Sequence, residues 1–545
     1  MKISLDWLSD FVAWKECDPK QIAERLTLAT AEIEHVIHQG EFLEHCCVGN
    51  VAKLTRHPNA DRLTLADVET DKGMKRVVCG GSNLRVGMLV AFAHIGATVR
   101  WHGTDVMTLQ PTKIRGERSE GMICSADELD LTEMFPKKDE HEIIDLQIAN
   151  CKLQIGQDLR EGLGLTDVIF DINNTAITTR PDLFSHIGVA RECVALGLGS
   201  WKKTPDAFYT GLEKKIGKMF PKKPLPFTVH VDCPDLVPFY NGCLLRIEKL
   251  GTTPEWMVRR LIATGWRSVS LPVDITNYVM LETGMPMHSF DADDFQGNIR
   301  IRTSKKAETV TTLDGVARPL PEGAVVISDD AGIFDLLGIM GGLRSSTKET
   351  TKNIYLHGAI IDPVAIRRAI LATGHRTEGS TVYEKGVPRS SSPIGFLRTV
   401  QLMQELVPGC MQISQRQSWG KSWKPKPMTI EKSRIDSLIG MEIPAKTMEK
   451  ILDDLGYAPT IQKLKTKNQQ LIVTPPLHSQ RDVHSDVDVI EDIARIYGYD
   501  RIAEARPVAP LHLPVREQRI YAIRNALREC GYIDRKSTRL NSSHT

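Results

Sequence analysis

VDITNYVMLETGMPMHSFD, residues 273–291, is the stretch on which the reading of this chain turns. Val273 and Ile275 alternate with polar neighbours as in a half-buried strand, and the alternation ends in the pair Thr276 and Asn277. Residues 278–282 then read as a short helical stretch that Gly284 breaks. Pro286 fixes φ just ahead of His288, so an imidazole is expected on a constrained loop, beside backbone groups and the Thr276 hydroxyl. Such a set suits a small polar ligand. A strand and turn packed on their own core would use the same residues, and a single histidine more often belongs to that arrangement.

At 545 residues the chain is too long for one core, and three to five domains are expected. Charged residues make up 25% and the net charge is +1, so any RNA-binding surface must come from local patches. Seven lysines face two acids in residues 201–224, either such a patch or a solvated basic linker. The eleven cysteines show no CxxC pair and no metal-ligand spacing, which suits reduced thiols in a cytoplasmic protein. Asp6 and Asp10 interrupt the apolar pattern of MKISLDWLSDFV, so the N-terminus reads as an amphipathic helix and not as a signal peptide. No run of eighteen apolar residues exists, and no membrane partner is expected.

The texture along the chain divides it into a multidomain α+β protein. Residues 1–38 read as a helical segment, with Trp7, Leu8, Phe11, Ile22, Leu26 and Leu28 at helical spacing. Residues 39–159 carry short β-rich runs punctuated by Gly, Asn and Asp, the pattern of a small barrel. Residues 160–200 form a connector, and a Lys/Pro-rich linker, 202–226, leads into an α/β region at 220–400. A second linker, SWGKSWKPKPM (418–428), precedes a compact unit at 424–502, with helices expected at 433–438, 445–455 and 486–497 and a strand at 471–476. A last helix is expected at 515–530, within a further unit beginning at 507–533. The polar tail DRKSTRLNSSHT (534–545) resembles translated vector sequence, so a truncated gene product is expected.

Three motifs carry chemistry. HPNADRL (57–63) is a rigid turn in which Asn59 tolerates the left-handed region, and KIRGERSEGMICS (113–125) offers Lys113, Arg115 and Arg118. With His57, Asn59 and VCGGSN (78–83), these resemble the OB-fold tRNA-binding module of several synthetases. Such a barrel binds RNA through a basic groove and stacking faces, and the low aromatic count here (Phe92, Trp101) leads us to expect backbone and shape contacts over stacking. In SQRDVHSDVDVIEDIARIYGYDRI (479–502), Val483, Val487, Ile490, Ala494 and Tyr497 form a helical core stripe. Asp482, Asp488, Glu491 and Asp492 are either dipole-complementing acids or oxygen ligands for a hard divalent cation.

In order, the whole set resembles the bacterial phenylalanyl-tRNA synthetase β subunit, from residue 1 to about residue 533. The connector NNTAITTRPDLFSHIGVARE (173–192) is part of the resemblance. It implies an OB-fold barrel, a B3/B4 editing domain and a winged-helix-like B5 domain. It also implies a catalytic α-subunit partner in an (αβ)₂ tetramer, with ATP-dependent charging of tRNA(Phe) in α and hydrolysis of mischarged Tyr-tRNA(Phe) in β. The four B5 carboxylates would then hold Mg²⁺ shared with α, although Asp492 stands where the family usually has Glu. A further synthetase-like domain and an anticodon-binding domain would follow.

By the same resemblance, Arg267, Thr276, Asn277, Pro286, His288, Gly341 with Gly342, His357 and Gly379 occupy editing-pocket positions, and His288 positions water or substrate. His357 stands where a Glu normally recognises the tyrosine hydroxyl, and Gly379 replaces a small residue, usually Ala. Weakened or altered editing is therefore expected. A stand-alone tRNA-binding module and a trans-acting deacylase are the rival readings.

Overall fold

A computed structural model describes residues 1–532 except 17, 102–104, 133, 149–152, 422, 464–468 and 505–514. The tail 534–545 and most of the linker before residue 515 lie outside the described residues. The chain divides into Met1–Tyr499 and Asp500–Thr545, the second built on the helix Val515–Glu529.

The N-terminal segment is mixed and not simply helical. Lys2–Ser4 pairs with Val168–Ile172, which pairs in turn with Ile33–His38. Among its described residues only Leu5–Leu8 and Pro19–Ala29 are helical, the latter started by the Asp18 carboxylate on the Lys20 amide. The helical spacing of Ile22 and Leu26 was legible, whereas strands of three residues are too short to show a period. Because Ile33–His38 and Val168–Ile172 are sheet neighbours, everything between them is an insertion into this first layer.

That insertion is the barrel. Cys46–Arg56 is long enough to pair with both Thr64–Thr70 and Leu89–His94, and the strand order is completed by Gly73–Cys79 on one side and Gly121–Ile123 on the other. The two ends approach closure where the Glu120 amide donates to the Arg76 carbonyl at 2.9 Å and the Val78 amide to the Ser119 hydroxyl at 3.2 Å. Val51, Val68, Val77, Val90 and Phe92 fill it. Phe92 is fully buried, so it is core and not a stacking platform; Trp101 is 42% exposed.

Within the lysine-rich stretch expected to be a linker, Pro205–Lys215 is a helix, capped by Thr204 and seated through Leu212. The α/β region beyond it has two sheets. One runs His288–Asp291, Asn353–Ile360, Phe239–Arg246 and Met411–Gln412, with the helices Leu271–Thr283 and Ser391–Leu406 packed together beside it. The other runs Val229–Val231, Ile299–Thr303, Val325–Asp329, Gly332–Leu336 and Met340–Gly341.

Residues 428–499 fold as a three-stranded sheet, Met428–Glu431, Gln469–Val473 and Thr460–Lys463, with helices Lys432–Ile439, Ala445–Asp454 and Asp486–Tyr497. The last of these packs on Pro19–Ala29 and joins, through Arg495, a buried ionic network centred on Glu192. Glu192, fully buried, accepts from Arg180 at 2.8 Å, from Arg495 at 3.2 Å and from Thr30 at 2.9 Å. Asp182 binds Arg180 at 2.9 Å and Arg191 at 3.2 Å. Burial opposes ionisation of both acids, but the surrounding guanidiniums win, holding Glu192 well below the usual range and Asp182 at about 2.

Candidate functional site

The opening segment is one continuous helix, Leu271–Thr283, and not a strand followed by a turn. Pro272 occupies its first turn, where the missing N–H costs nothing, and Gly284 ends it at φ 74°. The helix is buried on nearly every side, so no amphipathic stripe separates it from a buried strand. Its function is nevertheless helical in period: Val273, Thr276, Asn277 and Met280, at i, i+3, i+4 and i+7, line one cavity of about 1450 Å³. The Thr276 hydroxyl donates to the Val273 carbonyl at 2.7 Å, so it faces the cavity only as an acceptor.

His288 does not sit on a free loop. It opens the strand His288–Asp291, directly opposite His357 on Asn353–Ile360. The His288 ring stands edge-on to Phe290 at 4.4 Å and to His357 at 5.8 Å, and burial pushes its pKa down to about 4. At neutral pH it is an uncharged donor–acceptor. Gly341 explains how the ring fits: a Cβ there would lie 2.8 Å from His288 Cε1. Gly342 answers to the fold instead, since its Cβ would meet the Phe334 carbonyl at 2.0 Å, and it does not line the cavity.

Arg267, Thr276, Asn277, Pro286, His288, Gly341, His357 and Gly379 all line this single cavity. Arg267 is exposed, and the space beside Gly379 is open: a methyl group added there would meet nothing within 4 Å. His357 is 2% exposed, stacked on Phe290 at 5.0 Å and Tyr240 at 5.5 Å, and neither ring nitrogen has a partner. Burial, and after it His288, keeps His357 neutral. Two buried, unpaired polar atoms on a cavity wall are costly unless a ligand satisfies them.

Sequence reasoning missed Asp335. It is 3% exposed on Gly332–Leu336, lines the same cavity, and burial raises its pKa well above the usual carboxylate range. An acid inside the apolar run GIFDLLG was the available signal. The cavity thus presents two neutral imidazoles and a carboxyl group whose ionisation burial opposes.

In the barrel, His57 is 3% exposed; its Nε2 lies 3.2 Å from the Ile114 carbonyl, and the Asn59 side chain donates to the Arg115 carbonyl at 3.2 Å. Both residues clamp the hairpin that holds Lys113, Arg115 and Arg118, all exposed. The contacts these two residues make are to protein, and the three cations are the groups left facing solvent.

The four carboxylates of 479–502 do not converge. Asp492 accepts from Tyr457 at 2.6 Å and Arg495 at 2.7 Å, and Asp488 caps its helix from the Ser485 amide at 2.7 Å. Asp482 lies 3.5 Å from Arg180, with its pKa raised to about 6 chiefly by burial, and Glu491 is exposed. Guanidinium groups supply the positive charge here, so the residues present do not fit a magnesium cage within this chain.

Comparison with known proteins follows the same divisions. The chain matches the tRNA binding domain family over residues 46–149, the B3/4 domain over 236–408 and the tRNA synthetase B5 domain over 428–499. It is 34% identical over 532 residues to the phenylalanine–tRNA ligase β subunit of Syntrophus aciditrophicus, covering 95% of this chain and 62% of that protein. It is 35% identical over 526 residues to the same subunit from Synechococcus elongatus, covering 93% and 61%. A solved N-terminal fragment of the Pyrococcus horikoshii β subunit superposes only loosely, with a TM-score of 0.32 at 16% identity over 61% of this chain and 88% of that one. The chain therefore spans about three fifths of the length of its curated relatives. All three domain families stand in one order and a third of the residues are identical to these relatives, so over nearly its whole length the chain is similar to phenylalanine–tRNA ligase β subunits.

Proposed function

We propose that this chain binds tRNA(Phe) and a catalytic α subunit in an α₂β₂ phenylalanine–tRNA ligase of the cytoplasm, and hydrolyses mischarged aminoacyl-tRNA in the cavity at His288. ATP and magnesium would be used at the α active site. The observation that supports the reading best is that eight positions assigned by resemblance line one cavity of about 1450 Å³. That exceeds the roughly 300–1,000 Å³ of an ordinary small-molecule pocket and leaves room for an amino acid with its terminal nucleotide. Among the described residues no helix is long and apolar enough to cross a membrane.

The reaction is ester hydrolysis. Water adds to the aminoacyl carbonyl, the bond to the ribose oxygen breaks, and the proton lost by water ends on that ribose hydroxyl. His288, neutral down to about pH 4, orients the water or the ester rather than carrying charge. Deacylation should consequently show no histidine-dependent fall between about pH 6 and 8, where an ordinary histidine titrates. A loss of rate centred near the ordinary histidine value would contradict this role.

His357, held neutral by burial, and Asp335, whose ionisation burial opposes, both line the cavity and are available to a substrate side chain. A site built around a buried carboxylate partner rejects a substrate lacking the hydroxyl by roughly 10⁴-fold. The Tyr-over-Phe preference in deacylation by this chain with its α subunit should be smaller than that, and His357→Glu should enlarge it. Full-strength discrimination by the natural sequence, unchanged by His357→Glu, would rule out altered editing.

RNA affinity should rest on the exposed hairpin. Replacing Lys113 and Arg115 by Ala should weaken tRNA binding for all sequences alike and reduce the salt slope by roughly one to two units. Capture of the α subunit separates the readings: tRNA binding without α binding would favour a stand-alone module.

A further inference from the structure

One end of the barrel gathers three donor side chains that take no part in the His288 cavity. Cys47 lies on Cys46–Arg56, Asp71 in the turn after Thr64–Thr70, and His94 at the end of Leu89–His94. Cys47 Sγ is 3.5 Å from His94 Nε2, and Asp71 Oδ1 is 2.6 Å from the same nitrogen. All three donor atoms lie within 4.8 Å of one another. Cys47 and His94 are 3% and 4% exposed, while the Asp71 carboxylate is 38% exposed and opens to solvent. Gly156, at φ 79°, packs tightly over this turn: a Cβ there would lie 3.2 Å from Asp71 Cα.

A nucleophilic dyad with its orienting acid would place the thiol on one ring nitrogen and the carboxylate on the other. Here both approach Nε2, and the Cys47 thiol also hydrogen-bonds Asp71, so the carboxylate is not placed to orient the ring from Nδ1. Three donors converging on one point instead match the demand of a metal ion. Thiolate, imidazole and carboxylate together select zinc-class ions over magnesium or calcium. In a tetrahedral zinc site, bonds of ~2.3 Å to sulfur and ~2.0 Å to nitrogen put those two ligands about 3.5 Å apart. The observed separation is 3.5 Å. The nitrogen–oxygen pair must open by less than about 1 Å, which the exposed Asp71 side chain allows.

We propose that Cys47, Asp71 and His94 form a three-ligand site for a zinc-class divalent ion, with water in the fourth position. Binding displaces the Cys47 thiol proton to solvent, and the His94 proton moves to Nδ1. Thiolate and carboxylate then balance the two positive charges of the ion.

Titration of the intact chain with Co²⁺ tests this. One ion per chain should bind, with a sulfur-to-cobalt charge-transfer band and intense tetrahedral visible bands that Zn²⁺ bleaches. Cys47→Ser should abolish the charge-transfer band, whereas Cys46→Ser, whose thiol faces the Phe42 and Glu44 carbonyls, should keep it. His94→Gln and Asp71→Asn should weaken affinity by more than the roughly 10–100-fold that loss of a supporting group costs. Should Cys47→Ser fail to fold, the exposed Asp71→Asn decides. A spectrum of the free aqua ion at all concentrations, or a charge-transfer band that survives Cys47→Ser, would leave only a hydrogen-bonded trio and overturn the assignment.

Discussion

Gly341→Ala should lower deacylation of Tyr-tRNA(Phe) by about 10²-fold, the cost of a ~1 Å misplacement in a catalytic site, while the protein stays folded. The added methyl would lie 2.8 Å from His288 Cε1 and 2.9 Å from Nε2, closer than carbon atoms pack. His288 has little room to yield, because its strand is paired with Asn353–Ile360 and its ring abuts Phe290 at 4.4 Å. The backbone of Gly341 has no left-handed φ, so alanine is not excluded on conformational grounds. Two neighbours serve as controls. Gly379→Ala enters open space and should leave the rate nearly unchanged. Gly342→Ala, 2.0 Å from the Phe334 carbonyl, should damage the sheet itself and lower thermal stability. Single-turnover deacylation beside a melting curve reads both quantities, and an unimpaired Gly341→Ala rate would show that His288 is remote from the reacting ester.

Glu192→Ala should cost about 3–5 kcal/mol of unfolding free energy, because it leaves buried guanidiniums without their counter-charge. Glu192 is fully buried between Arg180 and Arg495, which come from the connector and from the helix Asp486–Tyr497. The two arginines also hold Asp182 and Asp492, so the single deletion unbalances the whole network. A double-mutant cycle with Arg495→Ala should recover part of the loss, since each residue's cost is largely that of orphaning the other.

The pH dependence follows from the same groups. Asp182 and Glu192 have folded pKa values below those of the unfolded chain, so their stabilisation is complete above about pH 5 and is lost as pH falls through about 4 toward 2. Urea unfolding at several pH values measures it, and an acid limb unchanged in Glu192→Ala would show that the network contributes nothing to the pH response.

Local signals carried far in this sequence. Gly284 marks the end of the helix at the cavity, and the helices expected at 433–438, 445–455 and 486–497 lie within about one residue of those found. The reading failed where two structures share one local pattern. A helix buried on all sides has no polar face, so Val273 and Ile275 read as a strand. Strands of three residues in Met1–Trp14 carry no measurable period. The four carboxylates of 479–502 read either as helix-complementing acids or as cation ligands, and nothing in their spacing shows that Arg180, from a distant part of the chain, lies beside Asp482.

By itself the sequence determined the order of the three domain families and, through resemblance, eight of the positions that line the His288 cavity, because motifs are local properties of the chain. Only the tertiary structure decided what those residues can do. It set His288 against His357 across two strands, removed charge from both by burial, and added Asp335 from another sheet. It also brought Cys47, Asp71 and His94 to one point. Burial and convergence depend on which distant segments pack together, and hydrophobic pattern constrains that packing only through the whole fold.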